Sequence, residues 1–337
     1  MESLYYKNLG SNRRSYDAVL QCLKQRGRSA SISGALDVGE LFVQVMNDHP
    51  ELFYVGQQFR YSASLLGREI HPAYLYSAGQ VRQLEAQLQT AAQQILDQTI
   101  NPNQSDYDRV RALHDYLKSN LEYDAALAGS QQINDSRVAE IHSVVGGLLH
   151  HKCVCEGFAK SMKYLCDKIG LECWVVHGSA SSALGSGPHA WNIVRIGGYY
   201  HHVDVTWDHQ YSDSVLIPNY GYLNLSDEEI ARDHTWNKNN FPACPTAPYN
   251  YFHINNALLD SKAQLELLLY NSFQMEEEIV MFRVVRGSLL EREVHGCLTD
   301  CIDRASQRCK HIRVPTYQYG GIAEQLTFFV KPNYEYC

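Results

Sequence analysis

The spacing of apolar residues changes from helical to alternating and back along the chain. In "SYDAVLQCLKQ", Tyr16, Val19, Leu20 and Leu23 recur at three- and four-residue intervals, which predicts a helix. A second helix is predicted from Leu36 to Met46; Pro50 then interrupts the pattern and "LFYV" opens an extended stretch. Val81, Leu84, Leu88, Ala91, Ile95 and Leu96 mark a long helix that the turn-rich "INPNQSD" ends. Ser105 or Asp106 can cap the helix that follows, "YDRVRALHDYLKSNL". Further on, Phe158, Ala159, Met162, Leu165, Cys166 and Ile169 predict a helix over roughly 156–169, stopped at Gly170.

The period then becomes two. "HAWNIVRI" and "YYHHVDVTW" are rich in β-branched and aromatic residues, and Gly197-Gly198 between them is a hairpin signal. Beyond "FPACPTAPYN" the pattern predicts a helix near 261–270, a strand at "EIVMFRVV", a helix around "CLTDCIDRASQRC" and a strand at "LTFFVK". These elements divide the chain into a mostly helical region over 1–99, a mixed core over 100–252 and a small α/β appendage over 253–337.

Composition limits what such a chain can do. It has 337 residues, 45% hydrophobic and 20% charged, enough to build a core without disulfides or metal. A net charge of -8 gives no basic footprint for nucleic acid or an anionic membrane. No apolar run reaches membrane-spanning length, and "MESLYYKNLGSNRRSYD" lacks the apolar segment of a signal peptide. The ten cysteines are therefore expected to be reduced thiols in a cytoplasmic protein. The oligomeric state is not readable from the sequence.

The stretch "CVCEGFAK" raises the question of chemistry. Cys155 is placed at the N-terminus of the predicted 156–169 helix, where free N–H groups and the helix dipole favour a thiolate and can bind an oxyanion. Gly157 is expected to leave room for a substrate backbone beside the sulfur. Taken singly, a cysteine is more often a buried core thiol, the reading given to Cys166 and Cys173. A zinc reading gathers His150, His151, Cys153 and Cys155, but C-x-C is tighter than usual ligand spacing and no second pair follows, so no metal is expected. No cofactor is expected either.

The hairpin supplies a base. If Gly197-Gly198 is the turn, paired positions sum to 395, and His189, Trp191, Asp204 and Thr206 share one face. His189 and Asp204 become diagonal neighbours, a base beside the carboxylate that orients it. An isolated pair of this kind is often a satisfied strand histidine beside a solvated aspartate, and a one-residue slip would separate the two. His202, on the same face, is the rival base; Asp208 is expected to open the next loop.

Three blocks in order, "GGLLHHKCVCEGFAK", "HAWNIV" and "YHHVDVTWD", resemble the nucleophile, histidine and aspartate blocks of the transglutaminase-like superfamily, which has bacterial peptidase-like members. "SDYDRVRALHDYLKSNLEYD", "YGYLNLSDEEIARDHTW" and "DHPELFYV" are similar to flanking segments of bacterial members. The resemblance implies an α+β, papain-like core, with a nucleophile-bearing helix packed on an antiparallel sheet. It also implies a triad of Cys155, His189 and Asp204. Cys153 falls outside the essential position. Tyr123, in "LEYD", is a candidate second oxyanion donor beside the Cys155 N–H, and Trp191 and Trp207 are candidates for aromatic support.

The implied chemistry is acyl transfer on amide bonds of peptides or proteins through a thioester. Hydrolysis or deamidation, amine-using cross-linking, and a non-catalytic binding scaffold all remain open. No spaced acidic calcium loop is visible. The substrate is not coded in loops such as "GSASSALGSGP".

Overall fold

A computed structural model describes residues 3–34, 36–64, 67–129, 136–182, 185–209, 219–322 and 325–337. Its chain divides into two compact units, 1–210 with 225–246 and 211–224 with 247–337. No helix of the described residues is long and apolar enough to cross a membrane.

The first unit opens with the helices Arg13–Lys24 and Val38–Asp48, the second capped by the Asp37 carboxylate. Of "LFYV", read as the start of an extended stretch, only Val55 is extended: Pro50–Leu52 is a 3-10 turn, and the strand Val55–Ser64 pairs antiparallel with Gly67–Tyr74, itself paired with Ala30–Ile32. Helix Ala78–Thr99 starts at a capping box of Ser77 and Gln80. In the helix Asp106–Asn120, Ser105 rather than Asp106 is the cap, accepting from the Asp108 N–H.

The element that matters most is the helix Cys155–Lys168. It begins at Cys155 because Val154 is extended, and it stops where Gly170 takes a positive φ of 73°. Its inner face packs through Ala159 against Val175 and Ala190 on the strands Cys173–Ser182 and Gly185–Ile196. The buried Asn192 amide bridges from the sheet to the Ala159 carbonyl at 2.9 Å, fixing the helix along the strand. On the sheet, His234–Trp236 pairs antiparallel with Cys173–Ser182, and Gly185–Ile196 pairs antiparallel with both Cys173–Ser182 and Tyr199–Val203.

The hairpin register is the expected one, with Ile196 opposite Tyr199 and Asn192 opposite Val203. The second strand, however, ends at Val203, and residues 205–209 are helical. Thr206 therefore does not pair with His189, nor Asp204 with Trp191, and Asp208 lies in a helix rather than opening a loop. The physical reason is Asp204 itself. Its Oδ1 accepts from the Trp207 N–H at 3.1 Å, a helix cap that turns a strand-like sequence into a helix. That short helix is clamped to Asp106–Asn120 by His114, whose Nε2 meets Asp208 Oδ2 at 3.0 Å.

The second unit has a four-stranded sheet in the order Leu258–Leu259, Val280–Val284, Thr327–Tyr336, Ile312–Ile322. Helices Lys262–Gln274 and Leu289–Arg308 close a core containing Leu269, Phe273, Phe282, Ile302 and Val330. The strand Ile312–Ile322 is an addition to the pattern read from the sequence.

Candidate active site

The site lies within the first unit, at the N-terminus of the Cys155 helix. As the first helical residue, Cys155 has an N–H with no intrahelical acceptor. Its side chain is half-buried and packs at the edge of the Ala159, Val175 and Ala190 cluster. Eight of the other nine cysteines are buried, and Cys337 is exposed. Burial pushes the Cys153 thiol well up, with the neighbouring Cys155 adding to the rise, so Cys153 stays a neutral core thiol.

His189 rises from the facing strand. Its Nε2 meets Asp204 Oδ2 at 2.6 Å, and the Cys155 side chain lies near enough to raise its basicity. With Nε2 engaged by the carboxylate, Nδ1 is the ring nitrogen left to act on a thiol. Burial alone would lower the basicity of His189, but the Asp204 carboxylate outweighs it and, with Cys155, holds the pKa up at about 10. Asp204 is fully buried; burial would raise its pKa, yet His189 and His234 hold it well below the usual carboxylate range.

Two indoles enclose the histidine. Trp191 stacks on it with centroids 6.0 Å apart and planes 18° apart, and Trp207 lies at 5.8 Å. Tyr123 pairs with Cys153 on the short strand beside the helix start. Burial, with Cys155 and Asp204 nearby, pushes its phenol up to about 12, leaving a neutral O–H donor.

Gly157 plays a different part from the one expected. A Cβ there would lie 2.5 Å from the Cys153 Cβ and 2.5 Å from the Ile141 carbonyl oxygen. The missing side chain makes room for the chain's own packing rather than for a substrate. The next residue after the cysteine, Glu156, carries a salt bridge to Lys160 at 2.6 Å and a hydrogen bond to His142 at 2.9 Å. The Lys160 charge and the His142 hydrogen bond outweigh burial and hold its carboxyl far below the usual range, in the first helical turn where an anion is favoured.

Residues 93–205 match the family model of the transglutaminase-like superfamily, a span that contains Cys155, His189 and Asp204. These residues form a transglutaminase-like segment within the chain. Over 119 residues it is 29% identical to the kyphoscoliosis peptidase of Homo sapiens, covering 33% of this chain and 17% of that one. Over 111 residues it is 31% identical to the kyphoscoliosis peptidase of Mus musculus, covering 31% and 16%. The chain thus spans about a sixth of the length of these relatives. A solved TGase structure aligns at 16% identity with a TM-score of 0.32, covering 53% of this chain and 50% of that one. The family match supports a cysteine-based enzyme in general terms.

Within this transglutaminase-like core, His202 does not face Cys155. Its Nδ1 accepts from the Trp191 indole N–H at 2.9 Å and its Nε2 meets Asp227 Oδ1 at 2.9 Å. Burial lowers the basicity of His202, although Asp227 opposes this. The rival base is thereby a neutral packing histidine that orients Trp191.

The zinc set read from the sequence does not assemble; among the described residues, the groups with metal-ligand spacing are His189, Asp204 and His234, and His202, Asp227 and Cys244. In the second, the Trp191 N–H claims Nδ1 of His202, which places the ring proton on Nε2, the atom a metal would need. In the first, Nε2 of both histidines faces the same carboxylate oxygen at hydrogen-bond distance. Hydrogen bonding accounts for both clusters.

His234 is the residue that sequence reading missed. It lies 30 positions beyond Asp204, and its Nε2 meets Asp204 Oδ2 at 3.1 Å. Its strand pairs with the neighbour of the His189 strand, placing His234 opposite Ala180. The only local signal was the "RDHTW" segment, in which Asp233 and His234 are adjacent.

Proposed function

We propose that this protein is a cysteine-dependent acyl-transfer enzyme acting on amide bonds of peptides or proteins, and that it is hydrolytic, as a peptidase or deamidase. The observation that carries this reading is the continuous chain from Cys155 through His189 to Asp204. In the first link the thiol stands at a helix N-terminus as an electrostatic neighbour of His189, and the second is a 2.6 Å contact to a buried carboxylate. That is the arrangement a thiol nucleophile requires, a base within reach and an orienter behind it. The peptidase name of the mammalian relatives agrees with it.

In this mechanism Nδ1 of His189 takes the Cys155 proton. The thiolate attacks the amide carbonyl carbon, and the oxyanion forms against the Cys155 N–H and the Tyr123 hydroxyl. The C–N bond breaks as His189 returns the proton to the leaving amine or ammonia, leaving a thioester. Water, deprotonated by His189, then resolves the thioester to a carboxylate and restores the thiol. Trp191 and Trp207 keep bulk water from the ring. The partner is a peptide or protein substrate, and neither nucleic acid nor a membrane is part of the reading. The ten free thiols favour a cytoplasmic setting.

The test is release of new amines or ammonia from a peptide mixture by the wild type and by Cys155→Ala. Loss in the variant is expected, and full activity without the thiol would refute the reading. Repeating the assay with an added primary amine separates hydrolysis from cross-linking, since only the latter incorporates the amine. Failure of a thiol-reactive probe to label Cys155 would favour a binding scaffold instead.

A further inference from the structure

The triad does not end at Asp204. His234 is buried, 1% exposed, with a carboxylate against each ring nitrogen: Asp233 Oδ1 lies 2.5 Å from Nδ1, and Asp204 Oδ2 lies 3.1 Å from Nε2. A neutral imidazole has one N–H and one lone pair, and a lone pair facing a carboxylate oxygen at that distance is repelled. Both contacts are satisfied at once only when both nitrogens carry protons. Trp191 and Trp207 pack on the same ring, with centroids 4.9 Å and 4.6 Å away and planes inclined at 75° and 57°.

We propose that His234 is a positioning residue of the acyl-transfer site, a doubly protonated ring that, held by Asp233, fixes the Asp204 carboxylate and draws off part of its charge so that His189 can give its proton up. This inference rests on the acyl-transfer reading. A buried carboxylate facing His189 alone would hold the imidazolium too firmly for a residue that must both accept and return a proton near neutral pH. The second cation divides the carboxylate between two rings. Asp204 Oδ2 accepts from both, while Oδ1 caps the helix that fixes the carboxylate in place. The titratable groups facing His234 are the carboxylates of Asp204 and Asp233, the charged ring of His189 and the neutral ring of His202. Asp204, Asp233, His189 and His234 together sum to zero when both rings are charged, which is how four buried ionisable groups can share one site.

The experiment has two arms. In the first, histidine Cε1–H resonances of the full chain are followed against pH, with His234→Gln used to assign the ring. His234 is expected to remain an imidazolium at pH 7.5, and a neutral ring there overturns the proposal.

In the second, the pH profile of Cys155 alkylation is compared between the wild type and His234→Gln, which keeps a donor toward Asp204 but removes the charge. The two rings are 5.3 Å apart. At an effective dielectric of about 20 their repulsion is equivalent to about two pH units, shared among the coupled groups of the site. Loss of the His234 charge should therefore move both limbs of the profile upward, the acidic limb by about half a unit or more. Limbs that stay in place in a folded His234→Gln protein overturn the proposal, because a merely structural histidine would not set them. If that variant fails to fold, His234→Asn, which removes the same charge, gives the same readout with the same upward shift expected. A wild-type profile with no bell shape refutes the acyl-transfer reading, and with it the positioning role. The protonation state of His234 is still read by resonance, so the two failures are told apart.

Discussion

Asp204→Asn is the most informative single change, because one carboxylate serves three partners. Asn keeps an oxygen that can cap the Trp207 N–H, so the helix over 205–209 is expected to survive. The amide nitrogen then faces Nε2 of His189 and of His234, where Asp204 now accepts at 2.6 Å and 3.1 Å. To accept from that nitrogen, His189 must move its proton to Nδ1, which places a hydrogen where Cys155 needs a lone pair. The magnitude follows from the charge removed. His189 stands at about 10 against an ordinary 6.5, and each pH unit is worth about 1.4 kcal/mol. Part of the rise comes from Cys155, which the variant keeps, so Asp204 supplies ~2–3 kcal/mol, or on the order of a hundredfold in rate at pH 7.

The assay is Cys155 alkylation and amide hydrolysis between pH 5 and 9, with circular dichroism to show that the fold persists. Stability carries its own signature. The raised His189 contributes stability that is fully present below its unfolded value near 6.5 and is lost as pH rises through about 10. The depressed Asp204 contributes stability present above its unfolded value of 3.8 and lost as pH falls through its lower folded value. The wild type should thus be more stable than Asp204→Asn across the interval between those limits, with the gap closing toward both ends. A folded Asp204→Asn protein with unchanged rate and unchanged profile would refute the assignment of Asp204.

Three further outcomes are expected. At pH 6, where an ordinary thiol is protonated, iodoacetamide should modify Cys155 ahead of the exposed Cys337, as read by mass spectrometry; Cys153 or Cys337 labelled first would contradict the site. Gly157→Ala should lower the thermal midpoint by the equivalent of about 1–3 kcal/mol, since its methyl would sit 2.5 Å from Cys153 and Ile141; an unchanged midpoint would show that this packing is wrong. Glu156→Gln should cost about 1–3 kcal/mol at pH 7 and nothing at low pH. The depressed carboxyl contributes above its unfolded value of 4.5 and loses that contribution as pH falls, so denaturant melts at pH 7 and pH 2 that differ from wild type by the same amount would contradict it.

What the sequence determined is what local chemistry can encode. The helix carrying Cys155 was legible from its apolar spacing and from Gly170, and the hairpin from Gly197-Gly198, whose register placed Ile196 against Tyr199. Those two elements were enough to pair His189 with Asp204 and set both against a thiol. Where the strand stops was not legible as read, because "VDVTW" has strand composition; it folds as a helix start only because the Asp204 side chain caps it. Gly157 was read for its freedom, whereas its role depends on Cys153 and on the Ile141 carbonyl brought in from another helix.

The tertiary structure alone decided the outer part of the site. His234 reaches Asp204 because its strand pairs with Cys173–Ser182, on the far side of that strand from the one carrying His189. His202, equal to His189 by strand alternation, was removed from contention by the Trp191 N–H and Asp227. Periodicity and capping act over a few residues and are written into short segments. The charge state of a buried histidine depends on which carboxylates fold against it from elsewhere in the chain, and that is settled only when the sheet assembles.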